Sequence, residues 1–246
     1  MTGQREPRVA RLCWQAGDPT AVAAGLRRRL GIGTGTGPGR TADRSTRFVL
    51  GADVLEVVAW RREGEGDGPR GDGRLVFEPV FEEPIAGVEG ADDPGAPDLL
   101  ALAGVAWATV DLDRAADELG PWLLPADDGS IDGDEPLLGA RTRCRRTTAL
   151  PGSVIILAEP STEGRLAASL ARDGEGPCAI YLRSAGGLGA WVERARGRGV
   201  AVSERRTGPL GPCVMVPGAA TAGPHVIVLG RHGPASRGHR TGTIAP

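Results

Sequence analysis

A strand, a helix and then three short strands recur along this chain, and that recurrence limits the fold more than any single motif does. The clearest copy covers residues 174–229. An apolar run at 177–182 predicts its first strand. Residues 188–196 then show helical spacing, with Leu188, Trp191 and Val192 on one side and charges on the other. Gly197 and Gly199 stop that helix. Three β-prone runs follow at 200–203, 213–216 and 225–229, separated by Gly/Pro turns. Similar patterns occupy 103–160 and 7–60, and laying Asp18 on Asp111 puts Trp14 on Trp107. The expected fold class is α+β, built from repeated βαβββ modules with curved sheets and outer helices.

The 246 residues divide on this reading into an N-terminal module at 1–81, an acidic, Pro/Gly-containing linker at 82–99, a paired-module unit at 100–231 and a disordered tail at 232–246. A formal net charge of −2 gives no bulk attraction to nucleic acid or to an anionic membrane. No apolar run approaches the roughly 18 residues of a membrane span. The opening MTGQREPR has no apolar signal core, so the expected compartment is cytoplasmic. Cys13, Cys144, Cys178 and Cys213 are widely spaced without a CxxC pair, which predicts reduced thiols in strands. All 29 basic side chains other than histidine are arginine, and the missing lysine excludes Schiff-base chemistry and a Walker lysine. The glycine-rich tract at 31–41 follows a helix, whereas a phosphate cradle of the dinucleotide or P-loop kind precedes one, so it reads as a loop. Asp18 and Pro19 form a helix start ahead of 21–30. The Asp-rich stretch at 121–135 reads as a loop that lacks EF-hand spacing.

The run SVIILAEPSTEGRLAASLARDGEGPCAIYL, continued by the ARGRGV and VPG turns and a closing VIVL, resembles the vicinal oxygen chelate superfamily. Its glyoxalase-like, methylmalonyl-CoA-epimerase-like branch is the nearest in pattern. The resemblance implies a cup between paired modules and a divalent metal held inside it. The ligand positions it implies fall on Gly104, on Ala179 (or Ile180), on Ile156 and on Val228, and none of these side chains is a donor. The expectation is therefore no metal and no cofactor. His225 is expected on the outer face, opposite in parity to Val228.

Glu56 falls on the last-strand glutamate position of the first module, among apolar neighbours. Lost hydration raises such a carboxyl and suits it to proton transfer, while an ion pair with Arg47 or Arg11 is the structural alternative. Arg141 and Arg143 lie on one face of an arginine-rich strand and form either an anion site or a solvated surface. Tyr181 and Arg183 share the Ala179 face and line the expected cleft, with Arg11 as a further candidate ligand contact. Three functions stay open: metal-free binding of a small organic molecule, proton transfer of the isomerase, epimerase or lyase type with Glu56 as base, and a non-catalytic scaffold. The first module has no evident internal partner, so it either packs on the others or meets its own copy in a homodimer.

Overall fold

A computed structural model of the chain describes residues 9–31, 45–50, 53–59, 74–80, 100–125, 130–148, 150, 152–216 and 224–230. The linker, the tail and most of the glycine-rich tract expected from sequence lie outside these residues.

The fold is α+β. Two βαβββ modules make one eight-stranded sheet. The first contains β5 (Leu100–Ala108), α2 (Leu112–Glu118), β6 (Ile131–Glu135), β7 (Ala140–Arg146) and β8 (Val154–Pro160). A connecting helix, α3 (Arg165–Asp173), leads to β9 (Gly176–Ser184), α4 (Leu188–Gly197), β10 (Arg206–Gly208), β11 (Gly211–Val216) and β12 (His225–Leu229). The order is β10-β11-β12-β9-β5-β8-β7-β6. In each module the last strand returns parallel to the first, β8 beside β5 and β12 beside β9, while β5 and β9 join the modules antiparallel. The second strand of the module that starts at β9 begins six residues later than the 200–203 run, at Arg206, because Val200 still hydrogen-bonds back to Ala195 at the end of α4.

The sheet curls until its two edge strands approach. Gly133 of β6 lies within 3.9 Å of Pro209 beside β10, counted from an added Cβ. Alternation along the strands then sorts side chains into two faces. Inside are Ala106, Ala158, Ala179, Tyr181, Ile156, Cys213, Met215 and Ile227. On the outer face, Val105, Ile180, Leu182, Val214 and Val228 meet Leu188, Trp191 and Ala195 of α4.

The N-terminal segment supplies β1 (Val9–Ala16), α1 (Pro19–Leu30), β2 (Ser45–Leu50), β3 (Asp53–Ala59) and β4 (Arg74–Val80). Its strand order is βαβββ, but its sheet order is β2-β3-β1-β4. Here β3, not the last strand, runs parallel to β1, and β4 pairs antiparallel on the other side of β1. In the larger sheet that outer place belongs to the neighbouring module's first strand. The N-terminal module thus completes itself with its own chain. It also shares a core with the outer face of the larger sheet, where Leu12, Trp14, Leu26, Leu30, Leu55 and Val57 join Ile180, Leu182 and Trp191. Phe77 stacks on Trp107 with ring centroids 6.2 Å apart.

The expected Asp18 cap forms, and Asp111 caps α2 in the same way. Asp18 accepts from the Ala21 N–H at 2.9 Å, and Asp111 accepts from Asp113 and Arg114. Gly31 ends α1 at φ 71°, a left-handed conformation that glycine adopts without a Cβ penalty.

Candidate functional site

The cup between the modules is the first place to look, and its metal positions are closed. Gly104 faces inward on β5, and an added Cβ would lie 2.8 Å from the Val154 carbonyl oxygen and 2.9 Å from Val154 Cγ2. Neighbouring backbone occupies the space a ligand side chain needs. Ala179 and Ile156 face inward and offer methyl and methylene groups. Val228 does not face the cup: it points to the outer core with Ile180 and Trp191, because β12 pairs with β9 in the register Val228↔Leu182. The divalent metal that the resemblance implies does not fit these residues. Among the described residues no group of three or more His, Cys, Asp or Glu side chains is placed to hold a metal ion.

The inner wall is not pure hydrocarbon. Glu135 ends β6, and the stretch read as loop up to that residue hid its inward parity. Glu135 Oε1 accepts from the Leu137 N–H at 3.0 Å, and Oε2 accepts from the Tyr181 hydroxyl at 2.9 Å. Burial raises the Glu135 carboxyl, against the lowering effect of those two donors. Tyr181 is pushed well above its usual value, first by burial and then by the adjacent carboxylate. Cys144 and Cys213 are pushed up to about 12, chiefly by burial, so both stay thiols. Gly208 of β10 closes over the carboxylate; a Cβ there would collide with Glu135. This is an acid–phenol pair in a dry setting, where a proton can be held or shared. Both residues are 0% exposed, and Leu137, Leu138 and Leu166 of the crossing segments fill the space around them. The cup is a packed core.

His225 corrects its expected position. It shares the inner face with Ile227 and Leu229 and is buried, with Nε2 3.3 Å from Ser169 Oγ on α3. The resemblance implies an inward Val228, and that parity puts His225 outside; in the fold Val228 lies in the outer core and His225 takes the opposite, inner face.

The other candidates do not converge. Glu56 is buried on β3, in the smaller sheet, with Cys13 of β1 and Arg47 of β2 as its cross-strand neighbours. Arg11 lies on β1 opposite Glu78 in register, and its side chain is outside the described residues. Arg141 and Arg143 face away from the cup and are taken up by acids. Arg141 meets Glu159 at 2.6 Å, and Arg143 meets Asp113 at 2.7 Å and Asp132 at 3.5 Å. Arg183 shares the Tyr181 face but stands at its end, with Nη1 3.4 Å from the Gly230 carbonyl. Burial lowers its pKa.

A cavity of about 300 Å³ lies elsewhere, where the C-terminal ends of α1 and α4 meet. Arg28 and Arg29 line it from α1, and Arg198, Gly199, Val200 and Ala201 line it from the segment after α4. That size is at the lower end of small-molecule sites. The sequence signal was present in Arg27-Arg28-Arg29 and in the arginines after Trp191, but nothing in one dimension places two helix ends side by side.

No family model and no curated protein sequence matches this chain. Among solved structures, the chain is similar to methylmalonyl-CoA epimerase from Mycobacterium tuberculosis, at 22% identity and a TM-score of 0.44 over 52% of this chain and 85% of that one. It is similar to a hypothetical protein from Bacillus halodurans C-125, at 17% identity and a TM-score of 0.45 over 55% and 97%. A Streptomyces coelicolor methylmalonyl-CoA epimerase variant in complex with 2-nitronate-propionyl-CoA gives 19% identity and a TM-score of 0.42 over 52% and 96%. The Leu100–Leu229 half of the chain has the paired βαβββ topology that the vicinal oxygen chelate resemblance implies.

Proposed function

We propose that this protein binds a small organic molecule without a metal, and that the ligand sits between α1 and α4 rather than in the cup. The cavity lined by Arg28, Arg29, Arg198 and residues 199–201 carries this reading, since the cup itself is filled by Tyr181, Leu138 and Leu166. A thermal-shift panel of small organic molecules on the full chain tests it. Ala201 is exposed at the pocket wall, so Ala201→Trp fills the space without disturbing the core. Compounds that raise Tm for the wild type and not for Ala201→Trp support the reading. A panel whose responders ignore Ala201→Trp overturns it.

A second reading is proton transfer, with Glu135 in the role that sequence alone gave to Glu56. It is favoured by the raised carboxyl of Glu135 and its Tyr181 partner inside the cup. Substrate would have to enter where β6 and β10 meet, because both side chains are sealed from solvent. Methylmalonyl-CoA, named with the solved epimerases, is the first probe. Solvent deuterium entering its methine position with the wild type and not with Glu135→Gln supports this reading; no uptake above the buffer rate removes it.

A further inference from the structure

We propose that the pocket between α1 and α4 receives a dianionic phosphate monoester on a small organic group, an inference that rests on reading this pocket as the ligand site. Among the described residues Arg28, Arg29 and Arg198 line it, and no acidic residue does. Several other arginines of the described chain meet a carboxylate: Arg114 has Glu118 and Glu175, Arg141 has Glu159, Arg143 has Asp113, and Arg196 has Glu193. Among the described residues no ion pair joins Arg28 or Arg29 to an acid, in a chain with 31 acidic against 29 basic side chains. Helix-dipole compensation accounts for a basic residue at each helix C-terminus. It does not account for two helices from different modules turning theirs onto one cavity. A guanidinium offers a planar fork of donors that matches phosphate oxygens. The two forks that meet no acid among the described residues, on Arg28 and Arg29, match the two charges and the terminal oxygens of a phosphate monoester. Val200 and Ala201 form the remaining wall and give an organic substituent an apolar surface to lie on, and Gly199, at φ 72°, adds no side chain that would narrow the mouth.

Titration calorimetry on the full chain with phenyl phosphate tests the proposal, with inorganic phosphate and benzoate beside it. Phenyl phosphate should bind most tightly, because only it supplies both the dianion and the ring. Arg28→Gln and Arg29→Gln should each weaken it about tenfold or more, the usual effect of losing a charge-assisted hydrogen bond. Arg27→Gln, on the same helix end but outside the pocket, should leave it unchanged. Equal losses for Arg27→Gln and Arg28→Gln would mean diffuse charge attraction and would overturn the proposal, as would benzoate binding as well as phenyl phosphate. If neutral panel compounds respond to Ala201→Trp while phenyl phosphate does not bind, the phosphate inference falls and small-molecule binding stands. If nothing responds to Ala201→Trp, both fall.

Discussion

Replacing Tyr181 by Phe removes one oxygen atom and leaves a ring of the same shape in the same core, so the change reports almost purely on the hydrogen bond to Glu135. That bond is 2.9 Å long and both residues are fully buried. Without it, Glu135 Oε2 has no other hydrogen-bond donor among the described residues. A buried acceptor left without its partner costs about 1–3 kcal/mol. In a chain of this length each kcal/mol moves Tm by roughly 2–4 °C, so the expected fall is roughly 2–12 °C. Glu135→Gln should cost less, since its carbonyl can accept from Leu137 and its amide can donate to the Tyr181 oxygen. The double variant then leaves the amide without an acceptor, and a double-mutant cycle should show a coupling of about 0.5–3 kcal/mol. Urea denaturation of the wild type, the two single variants and the double variant gives all four corners. A Tyr181→Phe loss below about 0.5 kcal/mol, or zero coupling, would refute the account of the pair as a desolvated, mutually satisfied unit.

The remaining expectations follow from single features. Because burial raises Glu135 above its ordinary value of 4.5, folding favours its protonated form more than the unfolded chain does; that contribution is complete below pH 4.5 and is lost as pH rises through the raised value. Glu135→Gln should therefore gain on the wild type as pH rises, and a constant difference between them across the pH range would contradict this. His225 is lowered from 6.5 to about 4, by burial first and then by Arg165 and Arg172, so its contribution is present above pH 6.5 and is lost as pH falls toward 4. The loss is on the order of 3 kcal/mol, and His225→Asn should abolish that part of the acid sensitivity in a melting series. Gly104→Ala should cost about 1–3 kcal/mol, since its methyl meets the Val154 backbone and one strand has to shift; a neutral result in denaturation would show that the ligand position is still open. Arg143→Met should change stability by less than about 1 kcal/mol despite two acidic contacts, because Asp113 and Asp132 are largely exposed and water screens both pairs.

Local chemistry wrote much of this molecule directly into the chain. Period-2 and period-3.6 patterning marked β9, α4, β11 and β12; Asp18 with Pro19 marked the start of α1, and Gly31 marks its end. The absence of donors at Gly104, Ala179 and Ile156 was legible once the vicinal oxygen chelate resemblance implied those ligand positions. What sequence could not settle was which face a strand turns inward and what lies across from it. One residue of parity separates Val228 in the outer core from His225 on the inner wall, and a strand carries no label for its two sides when both are buried. Glu135 looked like one more acid in an Asp-rich loop until β6 paired with β7 and turned it under Tyr181. The N-terminal module kept the module's element order, yet β4 crossed to the far side of β1, a choice made by long-range pairing and not by any local preference. The arginine pocket is of the same kind. Its residues are separated by some 170 positions, and only packing α1 against α4 brings their charges onto one cavity.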